Sequence, residues 1–355
     1  MTLALDFGSA SIKAILIGGP QKESFFCSFS LGFKSPVLNR SSLLSAVKTV
    51  ELISGERLMD GDRILPSVYA CVGLPVFEVA EALSGPVVLT GQAISALDLN
   101  ILDVGSQFTH FRDRVSVAPV STDEVAKWLP FKAEVSDISN YIENKRIYSS
   151  ILPASPRDLF FEQAIARVRV ADLFRSQRMN TDFGEVYLSG AVFSGVPYLE
   201  QAVLMALDSL QPSDFLKIWL DRNQILPVAG LLKYHSIQEF SHLGDELTPL
   251  FLGTVLSQTS SCEVEIDLGF GEGQKISLKK GDLYVFPLRL GEQAVVKITT
   301  VKKNCRTYEV TGGAVGLIFD LRGRPLEVPE SSRQRSEVLR LWASQIGASG
   351  QVQKI

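Results

Sequence analysis

Two short stretches hold the residues best suited to chemistry. Asp6-Phe7-Gly8-Ser9-Ala10-Ser11-Ile12-Lys13 and Asp103-Val104-Gly105-Ser106-Gln107-Phe108-Thr109-His110 both read D-x-G-S followed by four residues, and each follows an apolar run. Glycine at the bend lets backbone N–H groups approach an anion closely. Carboxylates repel phosphate, so the natural role of Asp6 and Asp103 is to hold a hydrated divalent cation that bridges phosphate oxygens, with Lys13 adding positive charge. One D-x-G is a common turn and says little by itself. Two copies in matching context are what two related halves facing each other across a cleft would present.

The elements that must position these turns can be read from apolar spacing. Leu3 to Phe7 and Ile12 to Ile17 alternate large with small or polar side chains on either side of the Gly8-Ser9 bend, which predicts a hairpin. A third strand is predicted at 24–33, and Leu43, Leu44, Val47 and Val50 predict a helix over 41–53 behind a serine cap. Strands are expected at 68–74, 86–90 and 99–102, with a helix containing 76–83 among them. A long helix over 156–175, a strand at 186–188 aimed at Gly190 and a helix over 197–210 follow. Past Leu256 a polar stretch, 258–261, opens a region of β-type alternation and glycine-bounded turns that runs to Arg322, before a last helix over 331–346.

Composition removes several classes of function. The 355 residues are 46% hydrophobic and 21% charged, ordinary for a folded globular chain, and the net charge of −4 supplies no general basic field for nucleic acid. Cys27, Cys71, Cys262 and Cys305 are scattered without a C-x-x-C pair, and His110, His235 and His242 are the only imidazoles, so a zinc site is not expected. This cysteine usage fits a reducing cytosol; a Cys262–Cys305 contact within one unit is left open. Asp6 interrupts the N-terminal apolar run, and no uncharged run reaches the roughly eighteen residues that span a bilayer, so the expected location is cytoplasmic.

The first turn resembles actin's DNGSGLCK, with aspartate, glycine, serine and lysine in step. The second resembles actin's DSGDGVTH: Asp103, Gly105, Thr109 and His110 keep the spacing, and the departure lies at Ser106-Gln107. The resemblance implies an α/β, actin-like (ribonuclease H-like) two-lobed fold that binds ATP and Mg2+. It implies phosphate contacts from Gly8, Ser9, Lys13, Gly105, Ser106 and Thr109, with Mg2+ held through water by Asp6 and Asp103. Val186-Tyr187-Leu188-Ser189-Gly190-Ala191 supplies the strand ending in small residues where adenosine would meet Gly190 and Ala191, the latter replacing a second glycine. Hydrolysis is left open, because Gln107 stands where the Gly-rich bend is usual. Glu78, Glu81 and Gln92 fall between the turns without a defining motif, and none is assigned as catalytic. No G-x-x-x-x-G-K-[ST] loop occurs, and Gly269-Phe270-Gly271-Glu272-Gly273 lacks the context of a dinucleotide fingerprint and reads as a turn.

Residues 150–347 resemble the MutL or GlmL proteins associated with adenosylcobalamin-dependent glutamate mutase. The resemblance rests on Ser155-Pro156 leading into Glu162 to Arg167, on Leu207-Asp208-Ser209-Leu210-Gln211-Pro212, on Leu220-Asp221-Arg222, on Ile225 to Gly230, and on Gly312-Gly313 through Asp320-Leu321-Arg322-Gly323-Arg324-Pro325-Leu326. It implies an ATPase switch acting on a protein partner, as a chaperone or reactivating factor of such a mutase. The alternative from the actin resemblance is a polymerising cytoskeletal or membrane-complex scaffold. The expected division is lobe I at 1–102, lobe II at 103–257, a β-rich C-terminal domain at 258–330, and a terminal helix with a loose tail at 331–355. Asp320, Arg322 and Arg324 suit a local ion-pair network. Val338, Leu339, Trp342 and Ile346 lie along one side of the terminal helix. They are expected to dock on its own unit rather than on an anionic membrane.

Overall fold

Strand β1 (Thr2–Phe7) is buried on both faces, which requires cover from two sides. In the computed structural model it lies at the centre of the first sheet. The structure describes residues 1–8, 11–20, 24–29, 39–72, 83–106, 108–116, 119–149, 151–237, 248–269 and 273–348. Around β1 stand β2 (Ile12–Ile17), β3 (Ser24–Phe29), helix α1 (Arg40–Ser54), the small ribbon β4 (Met59–Asp60) with β5 (Arg63–Ile64), then β6 (Ser67–Val72) and β7 (Val88–Leu89). The sheet order is β3-β2-β1-β6-β7. The β1–β2 and β2–β3 pairs are antiparallel, and β6 and β7 continue parallel to β1. Helix α1 begins on Asn39, whose side chain accepts from the Ser42 N–H at 2.8 Å while Ser42 Oγ accepts from the Asn39 N–H at 2.9 Å. The cap is therefore asparagine and not the expected serine, and the helix starts one residue earlier. The predicted helix over 76–83 lies outside the described residues except for its last residue.

Helix α2 (Thr90–Ser95) leads to the second sheet, where the same order recurs. Its elements are β8 (Ile101–Val104), β9 (Thr109–Phe111), β10 (Arg114–Ser116), α3 (Thr122–Lys127), α4 (Val135–Ile147), α5 (Pro156–Ser176), β11 (Gly184–Ser189), α6 (Ala191–Ser194), α7 (Leu199–Leu210), β12 (Phe215–Leu220) and α8 (Leu226–Tyr234). The strands run β10-β9-β8-β11-β12, with β9 antiparallel to β8 and both β11 and β12 parallel to it. Two sheets of one topology, each opened by a D-x-G-S hairpin, make this the actin-like two-lobed fold. Helix α8 follows the second sheet in sequence yet packs Val228, Leu231 and Leu232 against Ala4, Ile15 and Cys71 of the first. It crosses α2 so closely that a Cβ on Gly230 would stand 2.0 Å from the Ala93 carbonyl oxygen.

Beyond α8 come β13 (Leu250–Ser257), β14 (Cys262–Asp267), β15 (Gln274–Leu278), β16 (Leu283–Phe286), β17 (Gln293–Thr300), β18 (Cys305–Thr311), β19 (Gly316–Asp320) and α9 (Ser332–Gln345). The unit expected at 258–330 is split. Strands β15-β14-β17-β18 form their own antiparallel sheet, whereas β13, β19 and β16 extend the second sheet past β12. The reason lies in Leu317-Ile318-Phe319: Ile318 enters the core under α7, while Leu317 and Phe319 enter the core beneath the four-stranded sheet. A strand apolar on both faces belongs between two layers. Helix α9 docks on the second lobe through Trp342 and Ile346.

The expected ion pairs around Asp320 are present and extend further. Arg322 bridges Asp320 at 2.9 Å and Asp208 at 2.7 Å, Arg324 reaches Asp320 at 2.8 Å, and Arg167 of α5 reaches Asp208 at 2.7 Å. The Arg322 guanidinium also lies 4.7 Å from the ring centre of Trp342. Burial would push the Asp320 carboxyl up, but Arg322 and Arg324 outweigh it and hold the group at about 2. All four cysteines are free, Cys262 being buried and Cys305 exposed.

Candidate functional site

Strand alternation decides where the chemistry points. Leu3, Leu5 and Phe7 face α1, so Ala4 and Asp6 face the other side, toward α8. On β2, Ile12, Ala14 and Leu16 share the α1 side, leaving Lys13 on the α8 side. In the second lobe Leu102 and Val104 enter the core with α7, whereas Ile101 packs on Leu226 of α8, which leaves Asp103 on that face. Because α8 lies between the lobes, Asp6, Lys13 and Asp103 must meet. They line one cleft together with Gly8, Thr90, Gly105, Phe108, His110, Gly190, Ala191 and Gln224.

The two turns share a closing backbone hydrogen bond. The Gly8 N–H donates to the Ser11 carbonyl at 3.1 Å, and the Gly105 N–H donates to the Phe108 carbonyl at 2.9 Å, the same three-residue step. Asp6 pairs with Lys13 in the strand register and Asp103 with His110. Lys13 Nζ donates to Asp6 Oδ2 at 3.2 Å with both groups buried, and Asp6 Oδ1 accepts from Cys71 Sγ and Thr90 Oγ1, each at 3.3 Å. A Cβ on Gly8 would stand 2.7 Å from Lys13 Nζ, so glycine is what lets the ammonium lie over the turn. Gly190 carries a φ of +88°, and a Cβ there would meet the Val104 carbonyl oxygen at 2.5 Å, so the end of β11 packs directly on the end of β8.

The charges in the cleft do not balance. Burial pushes the Asp103 carboxyl up to about 7; Lys13 opposes this, while Asp6 and Asp221 add to it. Burial likewise raises Asp221, although it accepts from the Leu226 and Ile225 N–H groups and from Ser189 Oγ, each at 2.9 Å. His110 is pushed down to about 4 by burial, against an upward pull from Asp6, so its ring is neutral near pH 7. Among the described residues no three of His, Cys, Asp and Glu gather as a direct ligand set. Asp6 and Asp103, the second without an ion-pair partner among the described residues, and Gln224 Oε1, buried with no hydrogen-bond partner among them, fit a cation held through its water shell.

The other predicted site residues are placed as follows. Ser9 lies outside the described residues, as does Gln107. Ser106 is buried and lines a small pocket behind the turn, where its carbonyl accepts from Arg169 Nη1 of α5 at 2.7 Å. Thr109 is fully buried on the face opposite His110, and its Oγ1 finds no hydrogen-bond partner among the described residues. Glu78 and Glu81 lie outside the described residues; Gln92 is exposed and accepts from the Leu89 N–H at 3.2 Å as part of the start of α2. Thr90, Cys71, Asp221 and Gln224 were not singled out as site residues by sequence. Their signals are weak: the first residue of a short helix, a cysteine in an apolar strand, and a polar turn ahead of an apolar helix.

No protein-family model matches the chain, and no curated protein matches it in sequence. Among solved structures it is similar to the ethanolamine utilization protein EutJ from Carboxydothermus hydrogenoformans, at 15% identity over 65% of this chain and 89% of that one, with a TM-score of 0.34. It is also similar to the activator of the 2-hydroxyisocaproyl-CoA dehydratase from Clostridium difficile with bound ADPNP, at 13% identity over 70% of this chain and 98% of that one, with a TM-score of 0.36. Among the described residues no helix is long and apolar enough to cross a membrane.

Proposed function

We propose that this chain is a nucleotide-dependent switch of the cytoplasm that binds Mg-ATP between its lobes and, by closing on it, changes the surface offered to a protein partner. The observation that carries this reading is the meeting of Asp6, Lys13 and Asp103 from two related turns in one cleft. Asp6 and Asp103 hold the waters of the cation. Lys13 meets phosphate charge, and the backbones at Gly8, Gly105 and Ser106 cradle the phosphates. Gly190 and Ala191 leave room for adenosine at the end of β11. Bound Mg2+ would neutralise phosphate oxygens that the carboxylates would otherwise repel. Helices α2 and α8, in contact at Gly230, carry closure from one lobe to the other.

A cobalamin-dependent mutase as client is supported by the sequence resemblance of residues 150–347 to MutL and GlmL proteins. Two stretches of that resemblance, around Asp208 and around Asp320 to Leu326, touch: Arg322 bridges both aspartates, and the Leu326 N–H donates to Gln211 Oε1 at 2.7 Å. Isothermal titration with ATP in the presence and absence of Mg2+, followed by phosphate release, tests the reading on the wild type and on Asp6→Ala. Magnesium-dependent binding is expected in the wild type and its loss in the variant. A wild-type chain that ignores Mg-ATP ends the proposal, and unchanged affinity in the variant ends the metal role of Asp6. Pelleting driven by Mg-ATP would point to a polymer instead of a client-binding monomer.

A further inference from the structure

Gln224 closes the turn between β12 and α8, its N–H donating to the Asp221 carbonyl at 3.2 Å. Its φ is +54°, a left-handed conformation that favours glycine, yet a long polar side chain stands there. The side chain lines the cleft with Asp6, Lys13 and Asp103, and its Oε1 is buried without a hydrogen-bond partner among the described residues. Helix capping does not explain it, because the first N–H groups of α8 are already satisfied by the Asp221 carboxylate. Local backbone preference and local hydrogen bonding both disfavour this residue, so its explanation lies in what enters the cleft.

An amide oxygen only accepts, which narrows the identity of its missing partner. It cannot bond phosphate oxygens, which are acceptors as well, or the carboxylates beside it once a bound cation holds them ionised. A water polarised by a bound cation is the donor suited to a place among Asp6, Asp103 and a phosphate tail. We propose that Gln224 is the third acceptor of the cation site, its Oε1 receiving a hydrogen bond from a water of the hydrated Mg2+ held by Asp6 and Asp103. This rests on the cleft being a Mg-ATP site. It adds a residue from the turn before the inter-lobe helix α8, so that occupying the cation site fixes the start of that helix.

The test uses the full chain, with ATP titrated calorimetrically in Mg2+ and in EDTA. Gln224→Gly removes the acceptor while relieving the left-handed backbone, so its melting temperature should hold or rise. Its affinity for Mg-ATP should fall about tenfold to a hundredfold, as on loss of an outer-shell partner, with affinity in EDTA unchanged. Gln224→Glu keeps an acceptor and should retain the magnesium dependence. Gln224→Asn tolerates the same backbone but withdraws the acceptor, and gives an independent reading should the glycine variant not fold. Wild-type affinity for Mg-ATP in the glycine and asparagine variants overturns the proposal; so does an equal loss with and without Mg2+, which would mark contact with the nucleotide itself. A wild-type chain that does not bind Mg-ATP removes the functional reading first and this inference with it.

Discussion

In the first hairpin Asp6 and Lys13 sit opposite each other in the register and their side chains meet at 3.2 Å; in the second, the same register sets His110 opposite Asp103. In both hairpins the glycine N–H is bonded three residues on, and the difference at the register pair is one of charge. Lys13 neutralises its own carboxylate. The buried His110 ring, neutral with its pKa at about 4, does not, and Asp103 is left at about 7. The two matching hairpins thus make a divided site: one half carries its own ion pair, and the other carries a buried carboxyl that a proton or a bound cation would balance.

The largest expected effect comes from breaking the balanced half. Asp6→Ala strands the Lys13 ammonium in the interior and should cost about 3–5 kcal/mol in chemical denaturation, besides the loss of magnesium-dependent binding. The corresponding change in the other half should have the opposite sign. Asp103→Asn removes a buried charge that Lys13 and Ser189 only partly offset and should stabilise the ligand-free chain by on the order of 2 kcal/mol at pH 8, while weakening magnesium-dependent binding. If both variants lose stability alike, the asymmetry between the hairpins is not real. Next in size is Arg169→Met, which removes the charged donor bracing the Ser106 carbonyl of the second turn only. Nucleotide affinity should drop about tenfold with little change in folding, and an unaltered isotherm would show that the second turn holds itself.

The smallest effect is a cancellation. Asp103 keeps in the native state a proton that the unfolded chain releases near pH 4, so between about pH 4 and 7 it makes stability fall as pH rises. His110 refuses in the native state a proton that the unfolded chain binds below 6.5, so between about pH 4 and 6.5 it makes stability rise with pH. The wild-type contribution of the pair should therefore be nearly flat in that window. Urea midpoints should climb with pH in Asp103→Asn and decline with pH in His110→Gln; slopes of the same sign in both would refute the opposition.

The meeting of the two turns was legible because it depends on short-range rules. A two-residue period fixes which face each aspartate takes, and a repeated D-x-G-S fixes the bend. Lys13 was legible for the same reason, being the register partner of Asp6. Gln224 and Asp221 were not, because their place depends on α8 leaving its own lobe to pack on the other, a long-range event without a local pattern. Ser106 and Thr109 sat in the right motif, but only the alternation on β9 shows that Thr109 faces away from His110. The assignment of β19 to the second sheet was hidden because a four-stranded insertion separates it in sequence from β13, its neighbour in space.

That last arrangement bears on how the protein is made. Strand β13 is apolar along nearly its whole length, and one of its edges is covered only by β19, which leaves the ribosome after the whole inserted sheet. A nascent chain halted before Gly316 would carry an open, greasy strand edge, and Asp208 would still await Arg322. Truncated products should thus be sticky and quickly degraded, and the N-terminal lobe should become protease-resistant earlier in synthesis than its twin.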